Sequence, residues 1–204
     1  MGGYVYHVLN RANGKQRIFH TPEAYAEFER LLYEANEQFA MRILAYVLMP
    51  NHWHLLLHPR QDNDMPDFMR WLTTTHAAKF RNKTNTVGEG HLYQGRYKSF
   101  LVDTDSYLLT ALKYIERNPV RAKLSVLPEK WRWGSAYRRV HGTKKERALL
   151  AVSPTPLPYR YRAWIHEAEQ LEELDEIRRS VNKGTPFGTE EFLAHFSRGR
   201  DKRK

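Results

Sequence analysis

The chain has 204 residues, with 33 Lys and Arg against 23 Asp and Glu for a formal charge of +10, and it contains no cysteine. Hydrophobic residues make up 41% and charged residues 27%, which excludes a membrane protein and a wholly disordered chain. The missing thiols exclude a disulfide scaffold, a Cys-ligated zinc ribbon, an iron–sulfur cluster and a cysteine nucleophile.

The length suits one compact domain with an appendage. The charge points to a polyanion among the partners, although excess charge also serves solubility alone. No apolar run reaches the roughly 20 residues of a spanning helix, and MGGYVYHVLN has no signal-peptide core. A soluble, cytoplasmic, nucleoid-associated protein is the expectation.

In chain order, Tyr4–Arg11 alternates as a strand and is followed by the breaker Asn13-Gly14-Lys15. Thr21 as N-cap with Pro22 at the first helical position predicts a helix to about Phe39. RILAYVL at 42–48 reads as a buried strand, and Met49-Pro50-Asn51 turns it into HWHLLLH at 52–58, which Pro59 ends. A second helix is predicted over about 66–81, then a loop over 84–95 and a fourth strand over 97–102. A further helix starts near Asp103 and ends before Pro119. The order β-α-β-β-α-β followed by a helix is the ferredoxin-like split arrangement, an α+β fold with an antiparallel sheet. Helices cover one face of such a sheet, and the other is left to a ligand or an extra helix.

Beyond residue 120, Trp131, Trp133 and Tyr137 suggest aromatic packing around a short helix at 135–141. SPTPLP at 153–158 reads as a linker. An acidic helix holding Glu167, Glu169, Glu172, Glu173, Asp175 and Glu176 follows, and a basic end from Arg198 to Lys204 closes the chain. Residues 1–141 form the expected functional domain, and 142–204 a mostly helical extension.

His52 and His54 alternate along a strand, so they share one face with β-carbons about 7 Å apart, and Trp53 points to the opposite, helix-packed face. Two imidazoles at that distance converge on one divalent metal; a bare H-x-H is also compatible with two histidines on a sheet surface. His58 has the same parity but lies too far along, and is read as structural. At 100° per residue, Tyr107, Ala111, Tyr114 and Asn118 form one stripe of the last helix and Leu108, Leu112 and Ile115 another, the core seam. The first stripe carries a phenol and a carboxamide one turn apart. A carboxamide oxygen is a plausible third ligand, and a phenol beside a metal a plausible nucleophile. Phosphodiester cleavage by tyrosine needs an in-line nucleophile, a Lewis acid on the phosphate and cations to hold the strand.

The blocks YHVLNR at 6–11, AYVLMPNHWHLLLHP at 45–59, GHLYQGRYKSF at 90–100 and YIERNPVRAKL at 114–124 resemble the REP-associated tyrosine transposases, within the HUH single-tyrosine group. The resemblance covers about residues 4–141, with a fainter echo at 178–188. It implies a ferredoxin-like, metal-dependent single-stranded DNA endonuclease and strand transferase. Such an enzyme acts at REP-like hairpins through a 5′-phosphotyrosine intermediate and works as a monomer. It places His52 and His54 as metal ligands, Asn118 as the residue completing the metal site and Tyr114 as the nucleophile, with Mg²⁺ or Mn²⁺ as cofactor. Imidazole ligands suit Mn²⁺ or Zn²⁺ better than Mg²⁺, which prefers oxygen.

Arg11, Arg96, Lys98, Arg117 and Arg121 are expected to contact DNA phosphates. Tyr93, Tyr97 and Phe100 are candidates to stack bases, and His91 for a site role. Two rival readings are a catalytically silent regulator that binds hairpins on the same fold and an RRM-type RNA-binding module; His52 and His54 on the open face argue against the second.

Overall fold

The computed structural model describes residues 1–197; the basic run from Arg198 to Lys204 lies outside the described residues. Four strands, β1 (Val5–Arg11), β2 (Arg42–Met49), β3 (His52–His58) and β4 (Lys98–Val102), form one sheet in the order β2-β3-β1-β4, every neighbouring pair antiparallel. That is the expected α+β arrangement. Helix α1 (Pro22–Phe39) is capped by Thr21, whose hydroxyl accepts from the Ala24 amide, and it ends on Ala40 in the left-handed region at φ 47°. Helix α2 (Asp64–Thr84) extends a few residues beyond the predicted span at both ends and stops at Asn85, also left-handed at φ 54°.

Both helices cover the sheet face built from Tyr6, Val8, Tyr46, Trp53, Leu55 and Leu57, where Trp53 and Phe28 are fully buried. Residues of opposite parity, among them Val5, Val47, Leu56 and Phe100, face helix α3 (Ser106–Glu116) through Leu108, Leu112 and Ile115. The leucine seam is therefore what seats α3 across the second face. Pro119 does not continue α3; it starts a separate turn, α4 (Asn118–Arg121), because it lacks the amide a continuing helix would use.

The rest of the chain packs onto this unit. Helix α5 (Ser135–His141) is held by a buried polar cluster in which the Arg138 guanidinium pairs with Glu29 and Glu146 and donates to the Tyr46 hydroxyl, itself a donor to Glu29 at 2.7 Å. A short helix, α6 (Lys144–Arg147), follows; beyond it, the Ala151 amide donates to Ile43 O at the β2 edge. At the other edge Phe187 exchanges backbone hydrogen bonds with Leu101 and Asp103. The proline-rich stretch at 153–158 is irregular, but Thr155 is buried and its hydroxyl accepts from the Asp105 amide at the start of α3.

The expected acidic helix is divided: α7 (Tyr161–His166) and α8 (Leu171–Lys183) leave Glu167 and Glu169 in the connection between them. Helix α9 (Glu190–Ser197) is the last described element. Ile177 of α8 and Phe187 share the apolar cluster under α3.

Candidate active site

Strand pleating and register together build the site. His52 and His54 leave β3 on the α3-facing side, as their spacing predicts, with ring centroids 5.2 Å apart and planes at 82°. β1 pairs Leu9 with His54 and Arg11 with His52, so alternate β1 residues share that face. One of them is His7, which lies diagonal to His54; its Nε2 stands 2.8 Å from His54 Nδ1. Above them α3 delivers Tyr114, whose ring centroid is 6.2 Å from that of His54 and 6.0 Å from that of His7.

The outer shell sets which imidazole nitrogens stay available. The Asn51 carboxamide nitrogen donates to Lys15 O, leaving its oxygen to accept from His52 Nδ1 at 2.6 Å. With the Nδ1 of each ring engaged, His52 and His54 both keep Nε2 free, the arrangement of metal-binding histidines oriented by their second nitrogen. Burial, reinforced by nearby Arg11, lowers the His52 pKa to about 4; burial and the neighbouring His7 hold His54 well below its ordinary value. Both rings are thus neutral lone-pair donors near pH 7.

Among the described residues no three His, Asp or Glu side chains gather into a metal cage. A cation here would take two imidazoles and fill its other positions from a carboxamide, water or substrate oxygen. Asn118 lies one turn beyond Tyr114, half-buried, and its carboxamide has no hydrogen-bond partner among the described residues. The donor set fits a divalent ion with several exchangeable positions.

Tyr114 is 8% exposed, and its hydroxyl is not consumed by any hydrogen bond among the described residues. The Arg121 guanidinium lies over its ring at 4.1 Å from the centroid. Arg121 also donates to the Tyr114 carbonyl and pairs with Glu169. Tyr107, the other phenol of the stripe, is instead packed edge-on against Phe187.

Of the five cations expected at phosphates, Arg11, Arg96 and Lys98 are exposed. Arg117 and Arg121 are turned inward. Arg117 is 7% exposed and donates to Glu169 at 2.8 Å and to the carbonyls of Ile165 and His166. The reason is Glu169, which reaches back from the α7–α8 connection between the two guanidiniums. Tyr93, expected to stack bases, is buried; its hydroxyl accepts from Trp53 Nε1 at 3.1 Å and hydrogen-bonds His76 Nδ1 at 2.6 Å. Phe100 packs against His7, Tyr97 is half-buried, and His91 is exposed in the loop. His58 reaches Gly3 O.

Sequence spacing missed His7 and Glu169. His7 had the right parity within β1, but only the pairing of β1 with β3 brings it to His54. Glu169 carries no local signal at all.

A ferredoxin-like sheet thus presents two neutral imidazoles and a free phenol on one face, and the class of the fold is that of a transposase family. The chain belongs to the family described as "Transposase IS200 like", which it matches over residues 2–118. A protein of Haemophilus influenzae assigned as a REP-associated tyrosine transposase is 25% identical over 122 residues, 56% of this chain and 69% of that protein. The solved structure of a REP-associated tyrosine transposase bound to a REP hairpin superimposes with a TM-score of 0.59 at 16% identity, covering 84% of this chain and 88% of that one. The likeness to that structure shows the shared fold, and these matches together support the REP-associated branch named from the sequence blocks.

Proposed function

We propose that this transposase-family protein nicks and rejoins single-stranded DNA at REP-like hairpins through Tyr114. The convergence of a free phenol on two imidazoles with unengaged Nε2 atoms carries the reading. His52, His54 and Asn118 would hold Mg²⁺ or Mn²⁺, which supplies Lewis-acid polarisation of the scissile phosphate when bound.

The Tyr114 oxygen attacks phosphorus and loses its proton; the P–O bond to the 3′-oxygen breaks, and that oxygen leaves as a hydroxyl after taking up a proton. The product is a 5′-phosphotyrosyl link. Attack by a 3′-hydroxyl reverses the step and restores the phosphodiester, so no external energy source is needed. Arg121 fixes the Tyr114 ring from one side, which limits the search of the phenol for an in-line approach. Exposed Arg11, Arg96 and Lys98 are suited to hold the strand by its phosphates, contacts that position without reading sequence.

The test uses a labelled REP-like hairpin with Mn²⁺ and denaturing electrophoresis. A covalent protein–DNA adduct is expected with the wild-type chain and with Tyr107→Phe, and none with Tyr114→Phe. An adduct of undiminished yield in Tyr114→Phe removes this tyrosine from the mechanism.

A further inference from the structure

Glu116 ends α3, midway between Tyr114 and the Asn118 that opens α4. Its side chain is fully buried and plays no part in the chemistry proposed for Tyr114. Three donors from outside α3 converge on the carboxylate. Ser135 Oγ and Arg139 Nε of α5 meet Oε1 at 2.6 Å and 3.1 Å, and the Tyr161 hydroxyl of α7 meets Oε2 at 2.6 Å. Burial, and then the carboxylate itself, hold the Tyr161 phenol well above its ordinary pKa, so it stays a donor.

The two α5 donors are themselves fixed to β2. Ser135 Oγ accepts from the Tyr46 amide at 3.1 Å, and the Arg139 guanidinium donates to Leu44 O. β2 in turn pairs Tyr46 with Leu55 and Val47 with His54. Two hydrogen-bonded side chains thus refer Glu116 to the strand that runs beside the histidine pair.

Stability alone does not call for this arrangement. The Leu108–Leu112–Ile115 seam already seats α3, and well-packed apolar residues often replace a buried ion pair without loss. Apolar burial is non-directional, so the seam leaves the roll and axial position of α3 loosely set. Short hydrogen bonds are selective in distance and angle.

We propose that Glu116 is a positioning residue, which fixes the junction of α3 and α4 against β2 so that Tyr114 and Asn118 both reach the His52–His54 pair. The inference rests on the reading of Tyr114 as the nucleophile. Tyr114 and Asn118 flank Glu116 on either side, so a shift at the junction moves phenol and carboxamide relative to each other. A misplacement of about 1 Å at a reacting group slows a reaction about 100-fold.

The test measures the single-turnover rate of adduct formation on saturating REP-like hairpin with Mn²⁺, and hairpin affinity by anisotropy in EDTA. A third measurement is the fluorine NMR spectrum of protein carrying a monofluorinated tyrosine in place of Tyr114. Glu116→Gln is expected to slow the rate at saturation about 10- to 100-fold, to hold hairpin affinity within twofold, and to shift or broaden the fluorine resonance. Tyr161→Phe removes one donor and leaves the ion pair, and should slow the rate about three- to tenfold. The two changes combined should cost less than the product of the single losses. Ile115→Val, a loss of core packing on the same turn, should leave the rate within twofold of wild type.

A rate at saturation within twofold of wild type in both Glu116→Gln and Tyr161→Phe overturns the proposal. So does a loss in Ile115→Val equal to that in Glu116→Gln, the mark of general loosening. If Glu116→Gln does not fold, Tyr161→Phe and Ser135→Ala decide by the same threshold. A wild-type chain that forms no Tyr114 adduct counts against the catalytic reading alone; a fluorine shift in these variants then still supports the positioning role, and an unchanged spectrum overturns it.

Discussion

His7 and His54 share a hydrogen bond of 2.8 Å on the α3-facing side of the sheet, where both rings are buried. Burial lowers the His7 pKa to about 3, so His7 is neutral near pH 7. Ligation through His54 Nε2 requires the His54 proton on Nδ1, which makes His7 Nε2 the acceptor. The His7 proton then sits on its own Nδ1, a buried atom without a partner. An orphaned buried polar group costs about 1–3 kcal/mol, a cost consistent with a positioning task.

His7→Phe is therefore expected to weaken Mn²⁺ binding about 10- to 100-fold, measured by calorimetry on protein whose circular dichroism is unchanged. His7→Gln, which keeps an acceptor, should recover part of the loss. Affinity within twofold of wild type in His7→Phe would leave His7 a packing residue.

Glu169 neutralises Arg117 and Arg121 together, and its side chain is only 4% exposed. Removing one member of a buried charge group leaves the others uncompensated and costs about 3–5 kcal/mol. Glu169→Gln is expected to lose roughly this amount in urea unfolding, with little dependence on salt because the group is shielded from counterions. A loss below about 1 kcal/mol, the size of an exposed pair, would mean that solvent screens the cluster.

His76 gives a pH signature away from the site. It is buried behind Tyr93, and burial alone lowers its pKa to about 3. The unfolded chain therefore binds protons there that the folded chain refuses. Stability from this group is complete above about pH 6.5 and is lost as pH falls toward 3. Between pH 7 and pH 5 it should contribute a loss of about 2 kcal/mol. Urea midpoints at the two pH values should draw closer in His76→Gln than in wild type; an unchanged gap would falsify the assignment of that proton uptake to His76.

Period-based reading reached those parts of the molecule whose partners are near in sequence. The Thr21–Pro22 start of α1, the turn at Met49–Asn51, the opposed faces of His52, Trp53 and His54, and the Leu108–Leu112–Ile115 seam follow from the pitch of a helix and the pleat of a strand. The same periods predict Tyr114 and Asn118 on one stripe of a single helix, whereas α3 ends at Glu116 and Asn118 opens the separate turn α4.

Other features depended on chain segments meeting across long separations. The β1–β3 register selected His7 out of the histidines, 47 residues from His54. The fold of the extension chose Glu169, 52 residues from Arg117 and 48 from Arg121, and so turned two expected phosphate contacts into internal ion pairs. The backbone bond from the Gln94 amide to Arg11 O tied the loop before β4 to the end of β1. Pitch and pleat are properties of the local backbone and are written residue by residue, whereas a charge accepts any opposite charge that packing brings close, so only the assembled core decides which one it meets.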